Sequence, residues 1–142
     1  MLHHDGRWTH DGQPILHTRL REHFDRSVRY LAGERKFVVT LRHFRGEIVV
    51  EEAAFFVRAI ELASGEIALS DGTREPLDVA SLQLSLRDGA LLCRVKRALA
   101  PEGLLARFTH GAQAELLAAI EPEGAGYALA LGGRREPVPD LS

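Results

Sequence analysis

Leu82-Gln83-Leu84-Ser85-Leu86-Arg87-Asp88-Gly89-Ala90-Leu91-Leu92-Cys93-Arg94-Val95 carries the clearest structural signal in the chain. Two apolar runs flank Asp88–Gly89, the preferred chemistry of a two-residue type I′ hairpin loop. With that loop the pairing runs Leu86–Leu91, Leu84–Cys93 and Leu82–Val95, and those six side chains share one sheet face. Gln83, Ser85, Arg87, Leu92 and Arg94 fall on the other, mostly polar, face. On this register Leu84→Asp prevents folding and Ser85→Asp is tolerated. Cys93 is placed in the core, where a thiol is an inert small hydrophobe rather than a nucleophile.

Outward from this hairpin, short strands alternate with two helices. Residues 7–10 read as extended and close on Asp11–Gly12 before Pro14. Leu20, Phe24, Val28 and Leu31 recur at helical spacing, with Thr18 as N-cap and Gly33 as stop. Lys36–Leu41 and Glu47–Glu51 are strand-like, joined by a polar turn that includes Gly46. Phe55–Leu62 and Glu66–Ser70 follow, then a turn at Asp71–Gly72. After Pro101–Gly103, Thr109 caps a second helix with Ala112, Leu116, Ala119 and Ile120 as its stripe, ended by Pro122 and Gly124. Tyr127–Leu131 and Arg134–Val138 close the chain as a hairpin on Gly132–Gly133. Helix, glycine and strand thus occur twice, over residues 18–41 and 109–131. Arg7-Trp8-Thr9-His10 is echoed by Arg107-Phe108-Thr109-His110, although the first helix starts later after its echo.

At 142 residues, with 45% hydrophobic and 27% charged positions, composition predicts one globular domain or two small lobes sharing a core. The net charge of −2 hides an asymmetry. Residues 1–46 hold nine Lys and Arg against five Asp and Glu, and residues 47–142 hold nine against fifteen. A basic front suggests an anionic partner, or two parts that attract each other. No apolar run is long enough for a bilayer helix, no signal peptide is visible, and a single cysteine excludes an internal disulfide. The expectation is a cytoplasmic protein with no membrane partner and no cofactor.

Asp5-Gly6-Arg7-Trp8-Thr9-His10-Asp11-Gly12-Gln13-Pro14-Ile15 resembles the opening signature of the bacterial family known as domain of unknown function 1285. Ile48-Val49-Val50-Glu51-Glu52-Ala53-Ala54-Phe55 resembles its second motif, a Val-Glu-Asp-Ala-Pro-Phe segment. His17, Leu41 and Ala54 depart from it, standing where that family has Arg, Pro and Pro. The resemblance implies a duplicated α+β core whose C-terminal part is similar to a pleckstrin-homology barrel with a helix. It also implies a role in signal transduction, with a nucleotide-like ligand between the lobes. The expected fold is therefore α+β and mainly antiparallel. It has two intimately packed lobes, a basic α+β lobe over residues 1–46 and a sheet-plus-helix lobe over residues 47–142.

No nucleophile elbow, P-loop or dinucleotide fingerprint is present. His17 and His23 are six apart, which at ~100° per residue places them on different helix faces, so no metal site is expected. Negative charge and the lack of a recognition motif exclude duplex DNA reading. Gly132-Gly133-Arg134-Arg135 reads as a hairpin turn rather than a phosphate nest. The reading that remains is a ligand-binding or regulatory module, with a small anionic, nucleotide-like ligand at the lobe interface. Trp8 would supply a ring face, with His10, Arg19 and Arg107 meeting the charge. One alternative is a small hydrolase or transferase assembled from Glu51, His10 and His23. Another is a ligand-free protein-interaction module.

Overall fold

Asp11 and Gly12 turn the chain as their residue types allow, both in the left-handed region with φ of 49° and 79°. They close β1 (Thr9–His10) onto β2 (Gln13–Pro14). The computed structural model describes residues 1–41 and 44–141. After β2 comes α1 (Thr18–Ser27), followed without a loop by β3 (Val28–Leu31), β4 (Lys36–Leu41) and β5 (Phe44–Ile48), an antiparallel meander. The helical stripe is therefore cut short. Phe24 is helical, but Val28 leaves the helix at ψ 130° and Leu31 lies in β3. A spacing of four then three also fits a helix end running into a strand, and the β-branched Val28 accepts the extended conformation. The N-cap is His17, whose Nδ1 accepts from the Leu20 amide at 3.2 Å, rather than Thr18. Gly46 sits inside β5 opposite Val39, and residues 42–43, where the connection falls, lie outside the described residues.

β6 (Phe55–Glu61), β7 (Glu66–Leu69), β8 (Arg74–Pro76), β9 (Gln83–Leu84), β10 (Leu91–Val95) and β11 (Leu104–Phe108) form a six-stranded sheet. Its order is β8-β7-β6-β11-β10-β9, and only β6 and β11 run parallel. Lys96 follows β10 and leads through a turn to Gly103, whose φ is +76°. A Cβ at Gly103 would lie 2.8 Å from the Arg94 Cβ, so this return of the chain requires glycine. The chain then enters α2 (His110–Ala119), capped by Thr109 as expected, and a second meander. That meander is β12 (Ile120–Glu123), β13 (Gly126–Leu131) and β14 (Arg134–Pro137). Pro122 lies in β12, paired with Tyr127, and Gly124 turns β12 into β13, so neither ends the helix. The fold is α+β, mainly antiparallel. Positions 46 and 47, where the two lobes are expected to meet, both lie within β5. No helix among the described residues is long and apolar enough to cross a membrane.

A helix followed at once by a three-stranded meander occurs twice, as α1-β3-β4-β5 and α2-β12-β13-β14. Arg107–His110 leads straight into α2, whereas Arg7–His10 leads first into the β1–β2 hairpin. That hairpin is the inserted length which puts the sequence echo out of step with the helices.

The hairpin at Asp88–Gly89 forms with another register. Leu91 pairs with Leu84 and Leu92 with Gln83, leaving residues 85–90 as the connection. Leu82, Leu91, Cys93 and Val95 are buried as expected, but Leu92 and Ser85 are buried too. Leu84 is exposed and Leu86 fully so. The cause is tertiary. The Ser85 hydroxyl donates to the Glu52 carboxylate at 2.8 Å, and the Asp88 carboxylate accepts from Arg107 at 2.8 Å. Both anchors pull the connection inward, and the Ala90 amide then closes on Asp88 Oδ1. Turn propensity is a weaker constraint than two charge-assisted hydrogen bonds.

The core gathers Leu2, Phe55, Val57, Ile67, Leu91, Cys93, Leu116 and Leu129 around both faces of this architecture. Leu91→Ala should cost ~2–5 kcal/mol in urea unfolding, the range for a buried leucine. Leu86→Asp should stay within about 0.5 kcal/mol of the parent, as for a surface change. Equal losses at both positions would restore the two-residue loop register.

Candidate functional site

Residues 1–9 fold back on themselves, with Leu2 bridging Trp8 on one side and Val50 on the other. The Leu2 amide donates to the Val49 carbonyl at 2.8 Å, and its carbonyl accepts from the Glu51 amide at 3.0 Å. Leu2 is fully buried. Seating it carries His3 and His4 to Glu51, which follows β5 and lies some fifty residues later in the sequence.

Beside this segment is a hollow of about 610 Å³. Trp8 and Ile15 from the β1–β2 region, Leu20 and Phe24 from α1, and Val39 and Ile48 from β4 and β5 give it apolar walls. Thr9, His10, Asp11 and Glu47 supply polar edges. Trp8 is 3% exposed and packs at 5.3 Å, tilted, against Phe24. Its indole N–H donates to Asp25 at 2.8 Å, and Arg58 holds the other Asp25 oxygen at 3.0 Å. Burial pushes the Asp25 carboxyl above its ordinary range, against the pull of Trp8 and Arg58. Trp8 is thus part of the wall, anchored by its N–H, rather than a free stacking platform.

A polar network leads away from the hollow. The Thr9 hydroxyl and His3 Nε2 are 2.9 Å apart, and His3 Nδ1 is 3.4 Å from Glu51 Oε2. His4 Nδ1 hydrogen-bonds the other Glu51 oxygen, and His4 Nε2 lies 3.8 Å from Asp88. Asp88 is held by Arg107, while Arg87 lies 3.7 Å from Glu51 and 3.9 Å from Glu52. Hydrogen bonds from the His4 ring and amide hold the Glu51 carboxyl below its ordinary value. The Arg107 guanidinium and the Ala90 amide do the same for Asp88. Arg107 Nη1 is buried with no hydrogen-bond partner among the described residues. Such an arrangement can orient an imidazole, hold a proton between carboxylates, or meet an anion at Arg107.

The four residues expected to bind a ligand do not all line one hollow. Trp8 and His10 line the hollow, with His10 largely exposed beside Asp11. Arg19 lies on the outer side of α1 with His17, Glu22, His23 and Arg26. Arg107 is committed to Asp88. No arginine is among the residues lining the hollow. Glu51 likewise meets His3 and His4 instead of His10 and His23, because Leu2 positions the former pair and α1 carries His23 away. Cys93 is fully buried, and burial, with Glu75 and Asp78 nearby, pushes its thiol up to about 12. No cluster suited to a metal ion occurs among the described residues. Sequence reasoning missed His3, His4 and Thr9 as site residues. The one available signal was that a histidine pair and Trp8 flank a turn rich in Asp and Gly.

No family model matches the sequence, and no curated protein matches it. Two solved structures share the fold. A DUF1285 family protein from Silicibacter pomeroyi DSS-3 superposes with a TM-score of 0.64 at 19% identity, covering 96% of this chain and 77% of that one. A DUF1285 family protein from Shewanella baltica OS155 gives 0.53 at 16% identity, over 82% of this chain and 88% of that one. At these identities the likeness establishes the fold. It is consistent with a divergent member of the family that Asp5–Ile15 resembles.

Glu51 and Asp88 have carboxyls lower in the folded chain than when unfolded. Their contribution to stability is therefore present above about pH 4, the unfolded carboxylate range, and is lost as pH falls through the lower folded value. Asp88→Asn should accordingly destabilise the protein at pH 7 in urea unfolding, with the deficit closing as both proteins are taken to about pH 2. A deficit independent of pH would assign Asp88 a role without its charge.

Proposed function

We propose that the protein is a small-molecule binding module whose ligand seats its apolar part in the hollow beside Trp8. The observation that carries this reading is the hollow itself. The β1–β2 region, α1, β4 and β5 converge on it with apolar side chains, and its volume of about 610 Å³ falls in the ~300–1,000 Å³ range of ligand sites. A buried tryptophan with its N–H already satisfied keeps the wall rigid, so little ordering cost is left for binding. Thr9 and His10 offer hydrogen bonds at the edge, while Asp11 and Glu47 place negative charge there. This chemistry favours a neutral or cationic polar end on an apolar body. A regulatory role, in which occupancy of the hollow is the signal, is the form of function that such a module supports.

A second reading keeps the anionic, nucleotide-like ligand and places it at the polar network instead. It rests on the unpartnered Arg107 Nη1, since a buried guanidinium N–H without an acceptor costs about 1–3 kcal/mol and an incoming oxyanion would relieve it.

Leu20 lines the hollow from α1 and is 39% exposed, so a polar replacement there is tolerated by the fold. Thermal unfolding with a panel of small aromatic and aliphatic molecules should give an upward shift with some of them. Leu20→Asp should abolish that shift while changing the unliganded melting temperature by only about 2 °C. A full shift retained in Leu20→Asp sinks the hollow as the site. Shifts seen only with phosphate compounds and lost in Arg107→Ala would favour the second reading.

A further inference from the structure

The order of atoms from the hollow into the network is hydroxyl, imidazole, carboxylate. The His3 ring turns Nδ1 toward Glu51 Oε2 at 3.4 Å and Nε2 toward the Thr9 hydroxyl at 2.9 Å. In the tautomer with the proton on Nδ1, the side facing the carboxylate, Nε2 carries the lone pair and the Thr9 hydroxyl donates to it. Thr9 is held on both sides by its backbone, its amide donating to the Met1 carbonyl at 2.9 Å and its carbonyl accepting from the Met1 amine at 2.6 Å. Thr9 is among the residues at the edge of the hollow. A hydroxyl so placed, next to a base that a third group orients, is the arrangement of an activated nucleophile.

The geometry points to a carboxylic-ester hydrolase site in which Thr9 is the nucleophile, His3 the general base and Glu51 the residue that positions His3. This inference rests on the reading of the hollow as a binding site, and adds a substrate class to it: esters with an apolar acyl or alcohol half. Thr9 Oγ1 adds to the ester carbonyl carbon as its proton passes to His3 Nε2. The carbon–oxygen bond to the alcohol breaks, and the imidazolium returns that proton to the departing alcohol, leaving acyl-threonine. Water then adds to the acyl carbon, giving a proton to Nε2, and Thr9 leaves with it. The products are a carboxylic acid and an alcohol, with no other reactant consumed. Glu51 also holds His4, so the carboxylate that faces His3 is fixed from two directions.

The test is turnover of para-nitrophenyl butyrate by the full chain. Thr9→Val keeps shape and strand preference but lacks the hydroxyl, and should lower kcat/KM on the order of a hundredfold. His3→Gln should fall as far, and Thr9→Ser, which restores a hydroxyl, should return to within about tenfold of the parent. Glu51→Gln should lower kcat with KM unchanged, the mark of a positioning residue rather than of a damaged hollow. Acid-quenched parent protein should carry one butyryl group on the peptide containing Thr9. Parent-level turnover in Thr9→Val, acylation elsewhere, or no turnover above that of free imidazole overturns the assignment. The non-hydrolysable para-nitrophenyl butyl ether separates the two readings. A thermal shift with this ether, in parent and Thr9→Val alike, but no turnover overturns the relay and leaves the binding module standing. No shift and no turnover overturns both.

Discussion

The seating of Leu2 between Trp8 and Val50 is the constraint on which the N-terminal half depends. It buries an apolar side chain completely and satisfies its backbone on both sides at once. Burial of a leucine is worth ~1.5–3 kcal/mol, and the hydrogen bonds give the contact a single register. From that register everything nearby follows. Trp8 is turned inward to Phe24 and Asp25, Thr9 is left at the rim of the hollow, and His3 and His4 arrive at Glu51.

The first 46 residues and the rest of the chain meet through a few polar pairs in the folded protein. His3 and His4 reach Glu51, and Arg58 reaches back to Asp25. The network around Glu51 and Asp88 is itself nearly balanced by Arg87 and Arg107, so the basic surplus of residues 1–46 does not concentrate in the hollow. Much of it lies on the outer side of α1, with Arg19 and Arg26, where solvent screens it.

The repeated helix and meander is used differently in its two copies. In the second, α2 lays Ala112 and Leu116 into the core directly after β11. In the first, the β1–β2 hairpin intervenes before α1, and this extra length brings Thr9, His10, Asp11 and Ile15 over the helix and sheet. The hollow is the space that the hairpin covers without filling.

Local structure was legible wherever one residue type satisfies a backbone need that few others can. Asp11–Gly12, Asp71–Gly72 and Gly132–Gly133 turn where expected, and Thr109 caps where expected. The end of α1 was not legible, because Phe24, Val28 and Leu31 are spaced to suit both a continuing helix and a helix followed by a strand. The register near Asp88 was decided by Glu52 and Arg107, which are local in space and remote in sequence. The same holds for the site. Thr9, His3 and Glu51 form no motif, since a hydroxyl, a base and a carboxylate need only converge in three dimensions. The sequence by itself determined the α+β class, the turns and most of the strands, because turn dihedrals and strand alternation act over a few residues. Tertiary structure alone decided which polar groups meet, because a buried leucine and a few charge-assisted hydrogen bonds between distant segments outweigh the preferences of any one segment.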